Sequence, residues 1–333
     1  GFNMPQGYSL RWFQNDDIDT YIEGLNESLY DRYDRERFQW KFGENPSTLG
    51  FNSIVVAVDD ESGRPVGFNS FLPLEIRTGE KIVPMVQGCD GYVQKEHRRR
   101  GIFSETIKFM DENLSGDGPI HLMGFNFAGS TAAAVKAGST TVCDINFWEI
   151  EPTDFHGQSS HLGSYSIGEI KAEEAHLLYS EWTNNRDHPH IHRSLDYLKW
   201  RFEQSPLRDY KFYNPRERNN DLGYVVLSIV ENAEGETSVG LDDFILNTTD
   251  TSAVIGAMAE MINVEEDAKK IELLTKKGAP LEDSLSRLNI EPDPRYTMIL
   301  KPILGNASPR RASNVESGEL LDGDWHITSS DIY

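Results

Sequence analysis

The 333 residues suffice for two domains and a full core, and 38% hydrophobic with 26% charged residues is the balance of an ordinary globular protein. The 54 acidic against 32 basic residues give a net charge of −22. Such a surface repels nucleic acid and anionic membranes; the excess fits a salt-adapted host and is also reached by ordinary acidic proteins. No apolar run approaches a membrane span, the first residues show no signal-peptide pattern, and two cysteines, Cys89 and Cys143, make neither a disulfide framework nor a zinc site. A soluble, cytoplasmic protein is expected.

Taken in order, Tyr8–Phe13 reads as a strand, and Asn15-Asp16-Asp17 caps a helix over Ile18–Leu29, whose apolar residues fall at helical spacing. A second helical stretch, Asp31–Phe42, stops before Asn45-Pro46. Ser53–Val58, Val66–Ile76 and Val83–Val93 read as a meander with turns at Asp59–Gly63 and Arg77–Glu80. A helix over Ser104–Asn113 follows, then a loop at Ser115–Pro119 and a strand over Ile120–Phe125. An alanine-rich helix over Asn126–Lys136, closed by Gly138, leads to a strand over Cys143–Ile150. A meander followed by a crossover implies an α/β fold with a mixed sheet.

Between the third strand of the meander and the next helix lies Tyr92-Val-Gln-Lys-Glu-His-Arg-Arg-Arg-Gly-Ile-Phe103. The first amides of a helix lack partners and sit at the positive end of its dipole, so this junction is a seat for a phosphate or pyrophosphate. Arg98, Arg99 and Arg100 add forked cationic donors, and Gly101 lets the backbone approach the anion. Val93 together with Arg98-x-x-Gly101-x-Phe103 resembles motif A of the GNAT (Gcn5-related N-acetyltransferase) superfamily, Arg/Gln-x-x-Gly-x-Gly/Ala after a strand ending in Val. Phe103 departs from the last small residue. The element order over residues 8 to about 152 is similar to that fold. The resemblance implies acetyl-CoA as acyl donor, held by Val93, Arg98, Arg99, Arg100, Gly101, Ile102, Phe103 and Asn126, the last opening the following helix. Asn126 also reads simply as a helix cap.

Residues 153–168 are rich in Gly, Ser and His and read as a linker, followed by a helix pair over about Gly168–Phe202. Trp40-Lys-Phe-Gly-Glu-Asn-Pro46 recurs as Trp200-Arg-Phe-Glu-Gln-Ser-Pro206. After the second copy come strand Gly223–Val230, strand Ser238–Leu246, helix Ser252–Ile262, strand Lys270–Thr275, helix Leu281–Leu288 and strand Tyr296–Leu300. The expectation is a tandem of two GNAT-like domains: residues 1–152 with the acetyl-CoA site, residues 153–304 as a degenerate copy, and a tail over 305–333 folded back through a strand-like Trp325–Thr328. In the second copy the junction Leu246–Thr251 carries Asp250 where an arginine is needed, so it does not favour pyrophosphate and is expected to wall the acceptor cleft.

Acyl transfer from a thioester to an amine needs a neutral amine, a polarised carbonyl and a protonated leaving thiolate. The resemblance implies that the Val93 backbone polarises the carbonyl. Cys89-Asp-Gly-Tyr-Val93 is similar to the family's Glu-Asp-x-x-Val. Asp90 is therefore the candidate base, an anchor for a cationic acceptor, or a residue that only holds a strand end. The family's usual acidic tyrosine is replaced by Ala134, which leaves Tyr92, a tail residue or unassisted departure. His188-Pro-His-Ile-His192 lacks a cysteine or a spaced acidic partner and reads as a loop, so no metal is expected. The expected activity is acetyl or small-acyl transfer to a small-molecule or peptide amine, without nucleic acid or membrane as partner. The alternatives are a catalytically silent acyl-CoA binder and a Fem-type aminoacyltransferase; the net charge disfavours the latter's tRNA donor. A turn that binds duplex DNA is a further rival.

Overall fold

A computed structural model describes residues 6–30, 32–47, 53–113, 121–154, 165–184, 186–231, 234–265, 267–305 and 317–333. The loop expected at Ser115–Pro119, most of the linker and most of the polar stretch after 305 lie outside the described residues. The elements of the first half are β1 (Tyr8–Trp12), α1 (Ile18–Ser28), α2 (Arg35–Phe38, continued by a π turn, Gln39–Gly43), β2 (Ile54–Asp59), β3 (Pro65–Thr78), β4 (Lys81–Val93), α3 (Ile102–Asn113), β5 (His121–Phe127), α4 (Ala132–Lys136) and β6 (Thr140–Ile150). The second half has β7 (Tyr165–Ile170), α5 (Ala172–Thr183), β8 (His190–Ile191), α6 (Leu195–Leu198, continued by a π turn, Lys199–Glu203), β9 (Tyr210–Glu217), β10 (Asn220–Asp221), β11 (Gly223–Glu231), β12 (Thr237–Leu246), α7 (Thr251–Glu265), β13 (Lys270–Lys276), α8 (Pro280–Ser286) and β14 (Asp293–Pro302). A short α9 (Ser317–Leu321) precedes the C-terminal segment.

The strands form one mixed sheet in the order β1-β2-β3-β4-β5-β14-β6-β13-β12-β11-β9, with β7 and the two-residue β10 added against β9 and the two-residue β8 against β3. The order is a palindrome of the two halves. Each half contributes an antiparallel meander and a parallel step, β4 to β5 and β12 to β13. The last strand of each half lies between β5 and β13: β14 pairs with β5, β6 pairs with β13, and β6 and β14 pair with each other. The sheet therefore interleaves strands from either side of residue 152.

The repeated heptapeptide has the same local structure twice. Asp34 and Ser194 are equivalent N-caps, accepting from the amides of Arg37 and Tyr197. Each π turn is closed by a bond five residues back, from Glu44 N to Gln39 O at 2.8 Å and from Gln204 N to Lys199 O at 2.9 Å. Trp40, Trp200, Leu74, Met123, Ile145 and Met298 share one buried core that spans both halves.

Four elements differ from their sequence reading. The helix expected over Asn126–Lys136 is only Ala132–Lys136, because β14 holds β5 in register through Phe127, with Thr297 opposite Asn126. Strand β9 was hidden by Pro215 and the charged residues after it. Pro215 is tolerated because β11 pairs only with Tyr210–Tyr213, short of the proline. The linker gives way to strand at Tyr165, so the segment from Gly168 begins in β7 rather than in a helix. Trp325–Thr328 runs beside the sheet without joining it.

Candidate active site

The junction between β4 and α3 is a compact turn. Lys95–His97 form one 3-10 turn, Arg99 has φ 62° and Gly101 φ 77°, and α3 starts at Ile102. Among the described residues no side chain accepts from the amides of Gly101 to Ser104, which leaves the start of α3 open to an anion. Arg98, Arg99 and Arg100 are exposed, and none pairs with a carboxylate among the described residues, despite the net charge of −22. Arg98 Nε donates to Val93 O at 2.7 Å; Arg100 Nη1 donates to the Tyr8 hydroxyl at 2.9 Å. That hydroxyl lies 2.6 Å from His97 Nδ1. Two of the guanidinium groups are thus oriented by neutral partners and keep donors to spare.

The turn opens onto a cavity of about 440 Å³ lined by Leu29, Tyr92, Val93, the three arginines and Phe103. Beyond it the sheet parts. Among the described residues strands β4 and β5 pair only at Val86–Leu122 and Gln87–Met123, and the edge of β4 over Gly88–Val93 has no strand partner on that side. A bulge opposite Asn69 puts Asp90 at φ 45°. Phe103 is 45% exposed, and its ring lies over Gly91, where a Cβ would come within 2.7 Å of it.

Asp90 is not an accessible base. Its side chain is wholly buried and accepts from Lys41 Nζ at 2.8 Å, the Tyr30 hydroxyl at 2.7 Å and the Tyr33 hydroxyl at 3.2 Å. Burial pushes its pKa up, but Lys41 and Tyr30 outweigh that and hold the carboxyl below the usual carboxylate range. It fastens the bulge to α2 and the segment before it. Tyr92 turns away from the opening: its hydroxyl donates to Thr20 O at 3.0 Å, and its ring fills the space left by Gly24. Burial raises its pKa, so it is a poor acid in this position. Asn126 lies within β5 and donates to Ser130 O at 3.4 Å, a turn contact rather than a helix opening. Two histidines of the 188–192 tract meet at one hydroxyl, with His192 Nδ1 3.2 Å from that of Tyr179. His190 Nε2 lies 2.6 Å from the Tyr179 hydroxyl and His188 Nδ1 lies 2.9 Å from Asp324 O.

No protein-family model matches the sequence, and no curated protein matches it either. Solved structures do. A GCN5-related N-acetyltransferase from Anabaena variabilis superposes with a TM-score of 0.65 at 13% identity, over 89% of this chain and 73% of that one. A protein of unknown function from Enterococcus faecalis, described as a probable N-acyltransferase, gives 0.65 at 10% identity over the same shares. A GCN5-related N-acetyltransferase from Kribbella flavida gives 0.62 at 14% identity, over 88% of this chain and 70% of that one. The fold is that of the GCN5-related N-acetyltransferases. At these identities it is the acetyltransferase fold that is shared, carried across both halves of the chain.

Within that fold the second half lacks the arginine turn. Asn247–Asp250 replace the longer connection of the first half, and Asp250 Oδ1 accepts from Ala253 N at 3.2 Å, so the start of α7 is already capped by a carboxylate. In the second half the bulge of β12 leaves Asp242 out of register, and its neighbour Asp243, opposite Val226, is also buried. It pairs with Arg193 at 2.9 Å, and Arg193 pairs in turn with Asp331 of the C-terminal segment at 3.1 Å. Sequence reading missed this triad and also Gln87, which donates to Asp331 O and accepts from Tyr333 N, both at 2.8 Å. Only the Trp, Ile and Tyr of the tail hinted that it would dock. Among the described residues no helix is long and apolar enough to cross a membrane.

Proposed function

We propose that the chain is an N-acyltransferase that uses an acyl-CoA, with acetyl-CoA the expected donor. The observation that carries the reading is the open start of α3 beside three arginines that have no carboxylate partner among the described residues, leading into a parted β4–β5 pair. The residues fit the donor. Arg98, Arg99, Arg100 and the amides from Gly101 would hold its pyrophosphate; Val93, Ile102 and Phe103 would line its arm, with Asn126 across the opening on β5. A bound acyl-CoA supplies an activated thioester. The exposed edge of β4 offers backbone N–H groups to polarise a carbonyl. Half-buried Phe42, Cys89, Phe125 and Tyr333 border the shared core on the other face and would wall the side from which an amine arrives. The acidic surface favours a cationic or neutral small-molecule or peptide amine over an anionic one and disfavours nucleic acid and membrane. Both cysteines are free, as suits the cytoplasm.

A second reading, a catalytically silent acyl-CoA binder, is favoured by one specific observation: Asp90 and Tyr92 are both fully engaged inside the protein. Titration calorimetry with acetyl-CoA, on the protein and on its Arg98→Ala/Arg100→Ala variant, tests the donor site. Release of free CoA across a panel of amines tests turnover. Binding that the variant loses, with turnover of at least one amine, supports the transferase. Binding without turnover favours the silent binder, and absence of binding removes both.

A further inference from the structure

The second half keeps a cleft where the first half has its donor site. Strands β12 and β13 pair only over Ser238–Gly240 and Lys270–Glu272 and then part. Beyond the last pair lies a cavity of about 400 Å³, bounded by the ends of β12 and β13, the starts of α7 and α8, the end of α5 and the C-terminal segment. Its walls include Trp182, Phe244, Leu281 and Ile327. Volume and lining are those of a small-molecule pocket. With Asp250 on the start of α7 and no arginine turn, it does not favour a pyrophosphate, so it is not a second copy of the donor site.

Its mouth is nonetheless cationic. Arg186 stacks over Trp182, 5.2 Å from the ring centre, and donates to Asn247 Oδ1 at 3.0 Å, with no carboxylate partner among the described residues. Lys276 also lines the cavity and is neutralised by Asp324, which His188 approaches to 3.5 Å. One guanidinium is left over, fixed flat on an aromatic wall at the rim of an apolar chamber. We propose that this cavity is a ligand site for a small organic monoanion, a monocarboxylate or monosulfonate with an aromatic or aliphatic body. The body would lie between Trp182, Phe244 and Leu281, and the anionic group against Arg186. The site is independent of the donor reading.

The test is a fluorescence titration of the full chain with 8-anilinonaphthalene-1-sulfonate, an amphipathic monoanion. Ala279 sits half-buried at the N-cap of α8 with φ −67° and ψ 153°, where a larger side chain can be carried, and Ala279→Trp would fill the chamber. The expected result is saturable one-to-one binding that Ala279→Trp abolishes and Arg186→Gln weakens about tenfold. Arg98→Ala/Arg100→Ala leaves it unchanged, and octanoate competes. Should Ala279→Trp not fold, Arg186→Gln decides alone. The proposal is overturned by absence of saturable binding, by binding that a folded Ala279→Trp or Arg186→Gln leaves unchanged, or by binding that coenzyme A displaces.

Discussion

The indole N–H of Trp40 donates to the carbonyl of Trp200 at 2.7 Å, and the indole N–H of Trp200 donates to the carbonyl of Trp40 at the same distance. The two rings stack with centres 4.7 Å apart. The residues are 160 apart in sequence, so the reciprocal pair marks the approximate two-fold axis that relates the halves. Trp40→Phe keeps most of the ring but leaves the Trp200 carbonyl without its donor in a dry core. The expected loss is about 1–3 kcal/mol in urea unfolding. Trp200→Phe should cost about the same. The double variant should fall short of the sum, because the two bonds share one stack. Strict additivity would show that the pair does not act as a unit.

Lys41 and Asp90 offer a test with opposite signs. The folded pKa of Asp90 lies below its unfolded value, so its contribution is present above about pH 4 and disappears as the pH falls through the folded value. Lys41→Met strands a buried carboxylate and should destabilise the protein by about 3–5 kcal/mol at pH 7. That variant should then gain stability between neutral pH and about pH 5 as Asp90 takes up a proton, while the parent protein does not. Urea midpoints across this range decide it. Parallel pH profiles would show that Asp90 is not held by Lys41.

At the arginine turn, Arg98→Ala/Arg100→Ala should weaken acetyl-CoA binding by about tenfold or more, from two lost charge-assisted contacts. The effect should shrink as salt is added. Unfolding should change by no more than about 1–2 kcal/mol, since the bonds to Val93 O and the Tyr8 hydroxyl lie at the surface. Equal affinities would remove the turn from the donor site.

Gly24 has no side chain because Tyr92 occupies that space; an added Cβ would lie 1.8 Å from Tyr92 Cζ. Gly24→Ala should displace the ring, break its bond to Thr20 O and destabilise the protein by about 1–3 kcal/mol, against the usual gain of alanine in a helix. Tyr92→Ala in the same chain should recover part of the overpacking. A stabilising Gly24→Ala would contradict the packing described.

Removing the cation that joins Asp243 to Asp331 should also release the C-terminal segment. Arg193→Met leaves Asp243 and Asp331 buried without a counter-charge, with an expected cost of about 3–5 kcal/mol. Limited proteolysis should then cut after residue 317 much sooner than in the parent protein. Unchanged protection there would show that other contacts hold the segment.

Much of the architecture could be read directly because local chemistry agreed with it. Periodicity placed α1 and α3, β-branched runs placed β2 to β4, and a seven-residue repeat announced the second half. The arginine turn was legible because its charge, glycine and strand–helix setting coincide within a dozen residues. What escaped was fixed at long range. Asn126 reads as a helix cap until β14, some 170 residues later, holds it in a strand. Asp90 reads alike as a base, an anchor or a strand-end residue until the fold brings Lys41, Tyr30 and Tyr33 around it. The exchange of β6 and β14 leaves no local trace, since a strand's own residues do not specify which half it will join.

That exchange bears on how the protein is made. When residues 1–152 have left the ribosome, the edge of β5 destined for β14 is bare, because its partner ends only at Pro302. Contacts this distant in sequence form late, and an uncovered strand edge is the feature that seeds aggregation. The nascent first half therefore has to wait, incomplete, until β14 has been synthesised.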